Sequence, residues 1–159
     1  MDTKFKITGN VSLYAGDFTQ EEFNNFSESE KLSYLKDQGK NLVVDTGLEQ
    51  ILALMLGNNT KSFVKCGVGS GNTAPANTDL ALETAIGTNN INSRYRVGLV
   101  GYFNTFFGRN DNNGSWDETG LFTTDDIMLC RRVFSSTFTK DTSNSSVISW
   151  SLTIAAVAD

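Results

Sequence analysis

The side chains of this sequence that could do chemistry are carboxylates, glycine-flanked turns and a few aromatics, because the chain contains no histidine. Without an imidazole there is no Ser-His-Asp or Cys-His nucleophile and no His-ligated zinc. Adjacent carboxylates occur at Asp117-Glu118 and Asp125-Asp126. A glycosidase holds two carboxyl groups roughly 5–10 Å apart across a sugar, whereas neighbours on a strand point to opposite faces. Neither pair makes a dyad, and no catalytic residue is expected. Gly67-Val68-Gly69-Ser70-Gly71 has glycines that would let amides approach a phosphate. No Lys-Ser/Thr pair follows, and Thr73-Ala74-Pro75 reads as a turn, so no cofactor is expected. The Asp/Asn-rich stretch from Asn110 to Glu118 is calcium-like, but setting Gly114 at the turn position of an EF-hand loop puts Arg109 and Gly120 at the first and last ligand positions. The default there is a hairpin loop without metal, the alternative an irregular calcium site of Asp111, Asp117 and backbone carbonyls.

Binding and pairing residues follow. Trp116, beside that polar loop, is a candidate to stack on a sugar ring, with a core or interface role as the plainer reading; Trp150 shares the apolar face of its strand and reads as core. Arg131 lies in phase with Leu129 and Val133 in a segment apolar in both phases. A buried arginine needs a partner, so the expectation is a cross-strand Glu118–Arg131 ion pair that fixes register, against two unrelated surface charges. Arg94, Arg96 and Tyr102 stand on the wetter side of the Arg94–Phe107 segment and are candidates for assembly or ligand contact. Cys66 and Cys130 are too few for a disulfide framework or thiolate cage and read as reduced core thiols, a single bridge being the alternative.

These residues need a scaffold, and the sequence describes one. A chain of 159 residues has the length of one domain and can build a core unaided. The formal charge of −5 gives no footprint for nucleic acid. The apolar run Leu48–Leu56 is too short to span a membrane, and no signal pattern opens the chain. Phe5, Ile7, Val11 and Leu13 alternate with polar residues as in a half-buried strand, and Ile148, Trp150, Leu152, Ile154 and Ala156 do the same at the other end. Further strands are expected over Val64–Val68, Arg94–Phe107, Trp116–Phe122 and Ile127–Phe138. A helix is expected over Thr19–Lys36, opened by a Thr19/Glu22 capping box. A clearer one carries the stripe Leu48, Ile51, Leu52, Met55 and Leu56, with a Thr46/Glu49 capping box at its start and Gly57 at its exit. The expected fold is mainly β, a single antiparallel sandwich over residues 1–159, with about six or more strands and one or two short helices; residues 1–40 form a candidate attachment or oligomer-contact segment.

Several motifs, in order, resemble a family. They are Lys40-Asn41-Leu42-Val43-Val44-Asp45-Thr46-Gly47-Leu48, Val68-Gly69-Ser70-Gly71-Asn72-Thr73-Ala74-Pro75, Thr78-Asp79-Leu80-Ala81-Leu82-Glu83, Glu118-Thr119-Gly120-Leu121-Phe122, Met128-Leu129-Cys130-Arg131-Arg132-Val133-Phe134 and Ile148-Ser149-Trp150-Ser151-Leu152-Thr153-Ile154. This series is similar to small virion proteins of tailed bacteriophages, the tail, tail-fibre, collar and neck components. Around Arg131 the family pattern has small residues where this chain has Cys130 and Arg132, which points Arg132 at a partner or solvent. The resemblance implies a non-enzymatic particle component made in the host cytoplasm and resident in the virion, bound to itself and to other virion proteins. The rivals are a glycan- or receptor-binding module on a fibre and a small glycan-degrading enzyme.

Overall fold

A computed structural model describes residues 4–157. In chain order the elements are β1 (Lys4–Gly16), α1 (Gln20–Asn25), α2 (Glu28–Leu32), β2 (Leu35–Lys40), β3 (Leu42–Val43), α3 (Asp45–Leu56), β4 (Phe63–Gly69), β5 (Ala85–Asn90), β6 (Ser93–Val97), β7 (Val100–Phe107), β8 (Gly114–Thr123), β9 (Met128–Lys140) and β10 (Ser145–Val157). They form two antiparallel five-stranded sheets, β2-β1-β10-β7-β6 and β3-β9-β8-β4-β5, in a sandwich-like, mainly β fold. Among the described residues no helix is long and apolar enough to cross a membrane.

Alternation in the sequence builds the core. Val11 and Leu13 of β1, Ile148 and Trp150 of β10 and Phe107 of β7 face Val68, Trp116, Leu121 and Phe134 from the second sheet, all buried. Residues 4–40, expected as an attachment segment, supply two strands of the first sheet, and β1 pairs with β10 from Lys4↔Val157 to Gly16↔Ser145. The outer faces are partly covered. On the first sheet, Phe18, Phe23 and Val147 form a cluster with Tyr14, Phe26, Tyr34 and Phe106 under α1 and α2. On the second, Val44, Leu82, Phe122 and Met128 form another.

Three element expectations are corrected. The Thr19–Lys36 helix is two short helices, since Ser27 and Glu30 form a second capping box directly after the Thr19/Glu22 box; the chain then turns into β2. The Arg94–Phe107 strand is a hairpin. Val97 pairs with Val100 around Gly98-Leu99, and Gly98 takes φ +57°, a left-handed conformation that glycine adopts without steric cost. The start of α3 is not a capping box: Val44 is its N-cap with no side-chain bond, and the Thr46 hydroxyl instead donates to the Met128 carbonyl at 3.0 Å. Its exit follows the sequence expectation, with Gly57 left-handed at φ +71°.

Candidate functional site

Glu118 and Arg131 are brought together. They sit diagonally across β8 and β9, Arg131 opposite Gly120 and Glu118 opposite Val133. Arg131 Nε donates to Glu118 Oε2 at 2.7 Å, Nη1 donates to Asp79 Oδ2 at 2.9 Å, and Nη2 lies 3.5 Å from Glu83 Oε2. Glu118, 0% exposed, also accepts the amides of Gly71, Glu83 and Thr84 at 2.8–3.0 Å. The pair therefore does more than set register: it fastens the long 70–84 loop to the second sheet. Burial opposes ionisation of Asp79, but the Ala76 amide and Arg131 outweigh it and hold its carboxyl below the ordinary range. The Thr73 amide and hydroxyl, with help from Arg131, do the same for Glu83. Desolvation pulls the Arg131 guanidinium down, and Glu118 and Asp79 more than restore it, leaving it raised. All these directions favour charge over proton exchange, as in a structural clasp. Asp79 and Glu83 lie in one of the family-like motifs, yet nothing in a loop without periodicity links them to Arg131.

The calcium-like loop is filled from within. Lys140 is buried at the end of β9, and its ammonium donates to the carbonyls of Gly108, Arg109 and Asp141 and to Asn113 Oδ1 at 2.8–3.3 Å. A cation site built on these oxygens would have to displace a resident cation. Asp111 accepts from the Gly108 amide and from Asn89, while Asp117 accepts from Thr137. The remaining paired carboxylates are tied elsewhere, Asp125 to Lys61 and Asp126 to Lys65. Among the described residues no His, Cys, Asp or Glu cluster is arranged to hold a metal.

Two contact candidates are corrected. Trp116 is 0% exposed and cannot stack on a ligand; its ring packs edge-on to Phe107 and its indole N–H donates to the Asn112 carbonyl at 2.7 Å. The polar loop beside it is its hydrogen-bond partner and leaves the ring inside. Arg132 does not face solvent or a partner either. It is buried against Asp37 of β2 at 2.8 Å and the Lys40 carbonyl at 3.0 Å, tying the two sheets together along one side. Arg94 bridges from β6 to Ser62 and the Phe63 carbonyl, Arg96 donates to the Gly98 carbonyl, and Tyr102 stacks on Tyr95. These three stay at the surface hairpin. Cys66 and Cys130 are free and buried; burial pushes the Cys66 thiol up to about 11 and raises Cys130 further.

The largest feature that periodicity alone missed is the direction of the α3 stripe. The helix buries Gly47 and Gln50, and a methyl group at Gly47 would collide with the Leu129 backbone, so the helix lies very close to β9. Gln50 bonds the Lys61 carbonyl and Asn59. At 3.6 residues per turn, seating Gly47, Gln50 and Leu54 inward turns Leu48, Leu52, Met55 and Leu56 outward, with Met55 79% exposed. Beside the stripe the sandwich gapes. Ile7 packs against the edge of the core, and Phe5 and Ile154 continue the inward alternation of β1 and β10 beyond it, with Phe5 74% exposed. An apolar groove of about 640 Å³ runs between Ile51 and Leu54 of α3 and Leu99 at the hairpin tip, over Ile7, Leu152 and Ile154.

Comparison with protein-family models, curated proteins and solved structures returns no significant match.

Proposed function

We propose that this chain is a structural, non-enzymatic component of a tailed-bacteriophage virion, at the tail, fibre attachment or neck/collar region, working through assembly surfaces. The observation that carries the proposal is the uncovered apolar surface at the open end of the sandwich. Leu99 and Ile154 are exposed along the groove itself, and Phe5, Leu52 and Met55 are exposed on β1 and α3, the strand and helix that bound it. Single exposed apolar residues need no explanation, but an open groove lined by Ile7, Ile51, Leu54, Leu99, Leu152 and Ile154 is the mark of an interface. Symmetric association of identical chains is the common way to cover one. The ordered series of family-like motifs supports the virion setting.

Two measurements test the reading. Sedimentation of the full chain is expected to give an oligomer, and Met55→Asp with Leu99→Asp is expected to return it to monomer while far-UV dichroism is unchanged. Mass spectrometry of purified particles should find the chain at a fixed stoichiometry. A chain that is monomeric at high concentration, binds no particle protein and is missing from particles overturns the proposal.

A further inference from the structure

We infer that the outer face of the first sheet binds a neutral oligosaccharide in a groove lying between α1–α2 and the β6–β7 hairpin. Strand register makes the floor. Ser12, Ser149, Asn104 and Ser93 stand opposite one another in a row crossing β1, β10, β7 and β6. The adjacent outward row is Asn10, Ser151, Tyr102 and Tyr95. A strand period of two puts both rows on the same face, so the sheet presents a patch of hydroxyl and amide groups ending in an aromatic pair. Apart from Ser12, which accepts from Gln38, the side chains of these rows make no hydrogen bond within the described residues. Their donors and acceptors are free for a ligand.

The space above the floor suits one. A cleft of about 660 Å³ lies over Asn104, Tyr102 and Ser149, walled by Gln20 and Asn24 of α1. That volume falls within the roughly 300–1,000 Å³ of small-ligand sites. A second cleft of about 630 Å³ shares Tyr102 and Ser149 and continues past Asn10 and Ser12. The site is elongated, as an oligosaccharide is. The Tyr95 and Tyr102 rings stack on each other with centroids 4.8 Å apart and planes 15° apart, so the platform is pre-ordered.

Chemistry narrows the ligand class. Lys31 and Glu28 line the first cleft 3.5 Å apart and offset each other, so that cleft carries no net charge to select an anion or a cation; Lys40, opposite Asn10 on β2, adds a single cation at the far end of the second cleft. Of the apolar side chains lining the first cleft, Phe23, Phe106 and Val147 are already packed in the cluster under α1 and α2, which leaves Val97 at the hairpin as the exposed one and no apolar pocket for a hydrophobic peptide's anchor. A sugar presents hydroxyls along its edge and C–H groups on its face, matching free amides and hydroxyls beside exposed aromatic rings.

The test titrates the full chain with maltohexaose, cellohexaose, chitohexaose, and mannan and galactan oligosaccharides, read by calorimetry and by chemical-shift change. Binding of at least one probe is expected at micromolar to millimolar Kd, with little dependence on salt. Tyr102→Ala and Asn104→Ala should each weaken it about tenfold or more, and Tyr102→Phe should keep most of it. Should Tyr102→Ala fail to fold, Asn104→Ala decides, because the Asn104 side chain makes no internal bond. Met55→Asp, which breaks the proposed assembly surface, should leave sugar binding intact, so the two proposals fail separately. Absence of binding to every probe, binding untouched by Asn104→Ala, or binding lost in moderate salt overturns the inference.

Discussion

At the residue scale the molecule turns on Arg131, which is enclosed by Glu118, Asp79 and Glu83. Breaking a buried charge pair costs about 3–5 kcal/mol, yet its two halves are not equivalent. Arg131→Met leaves Glu118 with three amide donors, whereas Glu118→Ala strips Gly71, Glu83 and Thr84 of their acceptor and unpairs Arg131 Nε as well. Urea denaturation should therefore find Glu118→Ala the more destabilising; equal and negligible losses would mean the clasp carries no stability. Acid should also loosen it. Asp79 and Glu83 have folded-state pKa values below their ordinary 3.8 and 4.5. A depressed carboxyl binds its proton more readily in the unfolded chain, so its stabilisation is complete above the unfolded value and drains away as pH falls through the folded one. Urea midpoints should hold level down to about pH 5 and fall below about pH 4, and the fall should shrink when Asp79 is changed to Asn. The Glu118–Arg131 pair was legible because an arginine in a segment apolar in both phases has to find a countercharge. Asp79 and Glu83 were not, since loop closure brings them in. The plainer reading of Trp116 as core holds and the sugar-stacking candidate fails, because its N–H takes a carbonyl of the polar loop that had suggested solvent.

At the element scale α3 shows where pattern and packing part. Its 3.6-residue stripe was readable and its left-handed exit at Gly57 follows the chemistry of glycine, but periodicity identifies an apolar face without saying what that face meets. Here close approach to β9 decides the orientation, and the small residue goes inward. Gly47→Ala would gain up to about 1 kcal/mol of helix propensity. It would also push a methyl into the Leu129 backbone, an overpacking cost of about 1–3 kcal/mol. Net destabilisation is expected from urea unfolding, and a stabilised variant would show that α3 can lift away freely. By contrast, Leu52→Ser should change monomer stability by less than about 0.5 kcal/mol, because Leu52 is 54% exposed. The hairpin turn at Gly98-Leu99 escaped notice because apolar residues flank it on both sides and blur two strands into one.

At the scale of the whole molecule, two sheets joined by Arg132–Asp37 on one side and filled by a shared core leave one end open. Cys66 and Cys130 lie inside that core, and burial makes the Cys66 thiol hard to ionise, its pKa pushed to about 11. Alkylation by iodoacetamide should then proceed only through opening of the sandwich, at a rate that rises with urea; rapid labelling of the native chain would mean the core breathes. The alternation of β1 and β10 made the sandwich readable, but not which inward side chains would run past their opposing sheet, a matter of relative strand length across the two layers.

The antiparallel β1–β10 pairing sets Lys4 opposite Val157. Tension applied through those two positions would load the rungs of the ladder singly, from that end, like a zip. Tension applied along the strands, through Lys4 of β1 and Ser145 at the opposite end of β10, would shear them all together. In optical-tweezer experiments the first geometry should give way at a much lower force than the second, so the β1–β10 pair is suited to carry load directed along its strands and poorly suited to load that parts its Lys4–Val157 end.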